Sequence, residues 1–185
     1  MVMEWIALTL VAAGLIWAIW TYNRLVKKRN RVKTAWSDID VQLTRRHDLV
    51  PNLVSIVQRY TEHERGTLES VTELRTQAIA TDSPARLGMI ENELEALLSR
   101  LLMLREDYPD LKASDNFRQL TEQLVDVENH LQYARRFYNG AVRDLNTLIG
   151  QFPDLLIARA FRFQEAEFYA ADASHRTTPQ VKLAR

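Results

Sequence analysis

The chain has 185 residues, enough for one domain of ordinary size around a single core. Its 24 Lys and Arg are matched by 24 Asp and Glu, which gives no general positive field to hold nucleic acid. It has no cysteine, which excludes a disulfide framework, a thiol nucleophile, a thiolate zinc site and an iron–sulfur cluster. Five Gly and five Pro also argue against a β-rich fold built from many tight turns.

The charge is sorted along the chain. Residues 24–33 hold Arg24, Lys27, Lys28, Arg29, Arg31 and Lys33 with no acid, whereas residues 34–185 hold 18 basic and 23 acidic side chains. Just before the basic cluster, residues 5–20 read WIALTLVAAGLIWAIW, diluted only by Thr9 and Gly14. About 20 apolar helical residues cross a hydrocarbon core, and this stretch with its apolar flanks suffices. Trp5 at one end and Trp17, Trp20 and Tyr22 at the other fall where interfacial aromatic belts form. A cleaved secretory signal would want a basic start and a small-residue cleavage site, and the sequence offers MVME and Trp-Thr-Tyr-Asn-Arg instead. The expectation is a single transmembrane helix. Basic residues follow it and none precede it, so the positive-inside rule places a short N-terminus outward and the rest in the cytoplasm, at the bacterial inner membrane. The six basic residues can also meet anionic headgroups.

Beyond the anchor, Val32, Trp36, Ile39 and Leu43 share one helical face. Pro51 in the run DLVPN should kink or break that helix near residues 47–51, with Asp48 as cap if a new helix begins there. A second face follows at Leu53, Val57, Tyr60, Glu64, Leu68, Val71 and Ala78, interrupted by Gly66 and stopped at Thr81-Asp82-Ser83-Pro84. Asp82 or Ser83 can cap a third helix that carries Leu87, Ile90, Leu94, Leu97, Leu101 and Leu104.

The longest pattern comes after the loop PDLKAS, with Ser114, Asp115 or Asn116 as cap. Phe117, Leu120, Leu124, Val127, Leu131, Ala134, Tyr138, Ala141, Leu145 and Leu148 keep a heptad seam until Gly150. After Pro153, a short closing helix with Leu155, Ile157, Ala158, Phe161, Phe168 and Tyr169 is expected; the aromatics Phe161, Phe163, Phe168 and Tyr169 read as bundle core, with a membrane-contacting amphipathic segment as the alternative. The fold class is therefore all-α: an N-terminal transmembrane helix continuing into an antiparallel three- or four-helix bundle with coiled-coil-like seams. The chain divides into the outward N-terminus and span (1–23), a basic juxtamembrane helix (24–47), a cytoplasmic bundle (48–171) and a flexible polar tail (172–185).

Chemistry is sparse. No Glu-x-x-His of a di-iron bundle occurs, and His47, His63, His130 and His175 have no helical pairing that would hold a metal. Glu62, His63 and Glu64 point in different directions around a helix and read as a solvated turn. No Gly-rich phosphate loop and no positioned serine nucleophile are present. No cofactor is expected, and a metal-dependent enzyme is the least favoured reading.

A polar vein does stand out. Arg136, Asn139, Arg143 and Asn146 form one stripe on the longest helix, while Asp38, Asp40, Arg45, Arg46 and Asp48 flank the first helix's seam. Cross-helix pairs between Arg and carboxylate are expected, either as register-setting contacts or as an interaction surface, with Asp40, Arg46, Asp48, Arg136, Asn139, Arg143 and Asn146 as the candidates.

The blocks IDVQLTRRHDLVPNLVSIVQRYTEHE (residues 39–64) and YPDLKASDNFRQLTEQLVDVENHLQYARRFYNGAVRDLNTLIGQFPDLLIA (residues 108–158), with the anchor and basic stretch before them, resemble the LemA family of bacterial membrane-anchored helical proteins. The sequence departs from the family's usual ending of the longest helix, with Leu145 rather than tyrosine before Asn146. The resemblance implies one N-terminal transmembrane helix, a cytoplasmic bundle, no established catalytic activity and, in some members, a link to organising internal bacterial membranes. The expected function is a membrane-anchored scaffold that self-assembles as a homo-oligomer and organises or shapes the bilayer. The alternative is an adaptor that recruits or regulates a membrane protease or signalling partner. The bilayer is the expected partner in both readings; nucleic acid is not.

Overall fold

The structure, a computed structural model, describes residues 2–61 and 63–169. Six helices follow in order: α1 (Val2–Gln58), α2 (Arg65–Ile79), α3 (Pro84–Met103), α4 (Pro109–Ala113), α5 (Asp115–Gly150) and α6 (Asp154–Ala160), with a 3-10 turn at Leu104–Glu106 after α3. Among the described residues there is no strand. The expected flexible tail, 172–185, lies outside the described residues.

Helix α1 is not broken at Pro51. A proline inside a helix lacks the N–H that the carbonyl four residues earlier requires, here that of His47. Arg75 of α2 supplies the missing donor, its Nε donating to the His47 carbonyl at 2.7 Å. Asp48 is consequently an exposed residue inside α1 and not a helix cap. The chain leaves the helix later, after Gln58, where Tyr60 is exposed, and before α2 the Glu64 carboxylate accepts from Thr67. The apolar spacing continued through this turn, which hid it.

The described chain forms two compact units that share α1 and α5. The first comprises residues up to Asp40 and Tyr133–Glu167. In it α1 and the C-terminal part of α5 run antiparallel, since Lys28 meets Asp144 while Trp36, further along α1, meets the earlier Tyr138. Leu25, Val32, Ala35 and Ile39 are buried from α1, and Tyr138, Ala141, Val142, Leu145, Leu148 and Ile149 from α5. Ala35 takes the core position and Trp36 lies half-buried, its ring 5.3 Å from that of Tyr138.

The second unit comprises Val41–Gln132 with Phe168 and Tyr169. Its core joins Val50, Leu53 and Val57 of α1 to Leu68 and Val71 of α2, Leu94, Leu98 and Leu101 of α3, and Phe117, Leu120 and Leu124 of α5. Ser83 caps α3 by accepting from the Arg86 N–H, with Pro84 in the first turn. Ser114 does the same for α5 through the Phe117 N–H. The run PDLKAS contains the short helix α4 rather than a loop, because Pro109 occupies its first turn.

All ten seam positions of α5 from Phe117 to Leu148 are buried. On α3 the seam drifts, Leu98 being buried in place of Leu97, as a straight helix of 3.6 residues per turn requires. The closing helix is shorter than expected. It ends at Ala160; Arg162 then adopts φ 53°, and residues 163–169 are non-helical. Phe161 and Phe168 are exposed, Phe163 is half-buried and Tyr169 is buried, so the expectation of a wholly buried aromatic cluster is corrected.

Candidate functional site

Residues 2–16 of α1 are exposed, and the helix contains one apolar stretch long enough to cross a membrane. Trp5 and Trp20 stand outward, and Trp17 is half-buried. The hydroxyl of Thr9 turns back on its own helix, donating to the carbonyls of Ile6 at 2.8 Å and Trp5 at 3.1 Å. A hydroxyl on an apolar stretch is satisfied in this way without water.

The basic cluster after the span is partly engaged inside the protein. Arg24 stacks on Trp20 and pairs with Asp154, and Lys28 binds Asp144 at 2.7 Å. Arg29 lies over Phe163 and Arg31 over Phe137, each 5.2 Å from the ring centre. Lys27 and Lys33 are exposed. Tyr22 contacts the rings of Phe161 and Phe163 with centroids at 4.8 and 5.9 Å. The Lys28 ammonium holds the Asp144 carboxyl below its ordinary value, mainly through their hydrogen bond.

The second unit contains a buried ionic cluster. Arg46, His47 and Glu91 are all almost fully buried. Arg46 Nη1 donates to Glu91 Oε2 at 3.0 Å, Nη2 pairs with Glu128 of α5, and His47 Nε2 lies 2.6 Å from Glu91 Oε1. One carboxylate of α3 is thus shared by two side chains of successive α1 residues, and Arg46 ties α3 to α5. At the rim, Arg45 pairs with Asp126 at 3.3 Å.

Asn146 and Tyr138 hold the segment after α6. The Ala166 N–H donates to Asn146 Oδ1 at 2.9 Å, and Asn146 Nδ2 donates to the Ala166 carbonyl at 3.0 Å, so the side chain pairs with backbone as a neighbouring strand would. The Tyr138 hydroxyl donates to the Glu167 carbonyl at 2.9 Å. Burial, with the Glu167 charge adding to it, pushes the Tyr138 phenol up from its ordinary value.

The expected polar vein is therefore split. Of its members, Arg46 forms the buried cluster and Asn146 pins the C-terminal segment, while Asn139 is half-buried. Asp40, Asp48, Arg136 and Arg143 are exposed, and Arg136 lies over the ring of Tyr133 at 4.8 Å. Cross-helix pairs do form, but those just described run from cations of α1 to carboxylates on α3, α5 and α6, because the acids of α1 face solvent. The partners that the sequence reading missed are Glu91, Asp126, Glu128, Asp144 and Asp154. Glu91 had a signal: Leu87, Glu91, Leu94 and Leu98 keep helical spacing, which puts a carboxylate in a buried row.

The family model described as LemA family matches residues 35–183. This chain belongs to the LemA family. Relatives include the magnetosome protein MamQ 2 of Paramagnetospirillum magneticum, 22% identical over 92% of this chain and 74% of the relative. The magnetosome protein MamQ of Magnetospirillum gryphiswaldense is 21% identical over 86% and 70%, and the protein LemA of Metamycoplasma hominis 24% identical over 83% and 71%. The family match begins after the apolar span and takes in both polar clusters of this LemA chain. No group of three or more metal-ligating side chains occurs among the described residues. An open groove of about 930 Å³ runs along Val54 and Gln58 of α1, Thr61 after it, and Leu68, Thr72 and Thr76 of α2.

Proposed function

We propose that this chain is a single-pass scaffold of the bacterial inner membrane, with its N-terminus outward and its helical part in the cytoplasm, whose copies associate and organise the bilayer around them. The observation that carries the reading is α1 itself. Its first half presents an exposed apolar surface, and from Leu25 onward the same unbroken helix is packed into the fold. Anchor and bundle are one element, so every copy is held at one height in a plane. Confinement of that kind raises effective concentration, and weak contacts between bundles then suffice for assembly.

The reading assigns no reaction to the protein. Three of its buried ionisable groups are joined through one carboxylate, Arg46 and His47 both meeting Glu91, which is the arrangement of a structural clasp. Membership of the LemA family and similarity to proteins named for magnetosomes support a role at internal bacterial membranes.

The test is subunit counting. Full-length protein carrying one fluorophore is reconstituted in liposomes at high lipid excess, beside a monomeric single-pass control. Several bleaching steps per spot are expected. Single steps at all densities would refute self-assembly and favour an adaptor with one protein partner. A C-terminal tag reached only from the periplasmic side would refute the orientation.

A further inference from the structure

The short helix α6 sits beside the point where α1 leaves the apolar span. Asp154, at its first turn and buried, accepts from the Thr21 hydroxyl at 3.1 Å and pairs with Arg24 at 3.5 Å. Trp20 to Arg24 is about 6 Å along a helix axis, and the headgroup layer on each side of a bilayer is about 5–7 Å deep. These two contacts therefore fix α6 at headgroup height if residues 5–20 span the membrane.

At that height the outer side of α6 and its flanks is apolar. Phe152 is 75% exposed, Leu156 55% and Phe161 59%. Burial does not account for them, since the inward positions of this helix are taken by Asp154 and Ala158. Phe161 is braced from behind by the ring of Tyr22. Cations accompany the patch: Arg159 and Arg162, in and just after α6, and Arg24, paired with Asp154, are all exposed. Large apolar side chains backed by cations are the composition of a segment that lies in the interface of an anionic membrane.

We propose that Phe152, Leu156 and Phe161 insert into the headgroup–acyl boundary of the leaflet from which α1 emerges, making the α5–α6 turn a second membrane contact. The occupant of the patch is lipid, because Phe161 meets Tyr22 just past the end of the span and α6 is tied to Thr21 and Arg24 at the same level. The inference rests on the membrane reading of residues 5–20. It adds that the span is held in one rotational orientation, with α6 lying on a fixed side of it.

The absence of native cysteine makes the test direct. Spin labels at Phe152→Cys, Leu156→Cys and Phe161→Cys in the full-length protein are compared with Leu10→Cys inside the span and Met89→Cys on an exposed face of α3. The proteins are reconstituted in liposomes of phosphatidylcholine with a minor fraction of phosphatidylglycerol. Power saturation with oxygen and with a water-soluble nickel chelate reports depth. The three labels are expected to show an oxygen-to-nickel accessibility ratio several-fold above that at Met89→Cys, and below that at Leu10→Cys. Ratios equal to Met89→Cys, with Leu10→Cys deep, would overturn the inference and leave the anchor intact. Labels shielded from both reagents and broadened by dipolar coupling would overturn it in favour of contact with a second copy. An aqueous Leu10→Cys would overturn the anchor and the inference together.

Discussion

Replacing Arg75 by methionine removes the donor that meets the His47 carbonyl while keeping most of the side chain's apolar stem. Pro51 leaves that carbonyl without its helix partner, and His47 itself is buried, so the carbonyl would lose a charge-assisted bond of 2.7 Å. Hydrogen bonds to charged groups contribute about 1.5–3 kcal/mol, and Arg75→Met is expected to destabilise by that amount. Pro51→Ala restores an N–H four residues after His47, and in that background Arg75→Met should cost less than about 1 kcal/mol. The difference between the two costs is the coupling that a double-mutant cycle reads. The assay is urea unfolding of the full-length protein in detergent, followed by circular dichroism and compared by midpoint at constant slope. Equal cost of Arg75→Met in both backgrounds would show that Arg75 acts elsewhere and that Pro51 is tolerated for another reason.

Further outcomes follow from the same contacts. Glu91→Ala leaves Arg46 and His47 buried with Glu128 as the remaining carboxylate, and is expected to cost about 3–5 kcal/mol in the same unfolding assay; a loss below about 1 kcal/mol would refute the buried cluster. Asn146→Asp sets a carboxylate against the Ala166 carbonyl and should expose residues 161–167 to limited proteolysis while the helical signal is kept. Lys28→Met should return the Asp144 pKa toward its ordinary 3.8, read by NMR titration. Because the folded value is depressed, the contribution of that pair is present above the unfolded value and is lost as pH falls through the folded one. Both side chains are partly exposed, so the stability change stays below about 1 kcal/mol and shrinks with salt. Gly66 lies in the first turn of α2 with open space around its missing side chain, and Gly66→Ala should stabilise by about 0.5–1 kcal/mol.

The helices were legible where apolar spacing and chain chemistry agreed. The seam of α5 fixed its buried face residue by residue, and Ser83-Pro84 marked the start of α3, because capping and periodicity are local properties. At Pro51 the same local rule left a kink or a break open, and what keeps α1 continuous there is a donor from Arg75, on another helix. The turn after Gln58 lacked proline, and its cues, Gly66 and the charged run at residues 62–64, did not say where α1 ends. The polar site was half visible. Arg46 and Asn146 could be singled out as polar groups beside a seam, but their partners depend on how helices far apart in sequence are placed. Asn146 has its carbonyl and amide matched by the backbone of Ala166, which no spacing rule on α5 contains.

The continuity of α1 has a mechanical consequence. Between Trp20 and Ile39 there is neither a proline nor a glycine, and Leu25, Val32, Ala35 and Ile39 are locked into the first unit. A transmembrane segment adjusts its tilt to bilayer thickness at a small energetic expense per ångström. Here a change of tilt cannot be absorbed by a loose joint below the headgroups. It must swing the C-terminal part of α5 packed against it, as a mast carries its rigging.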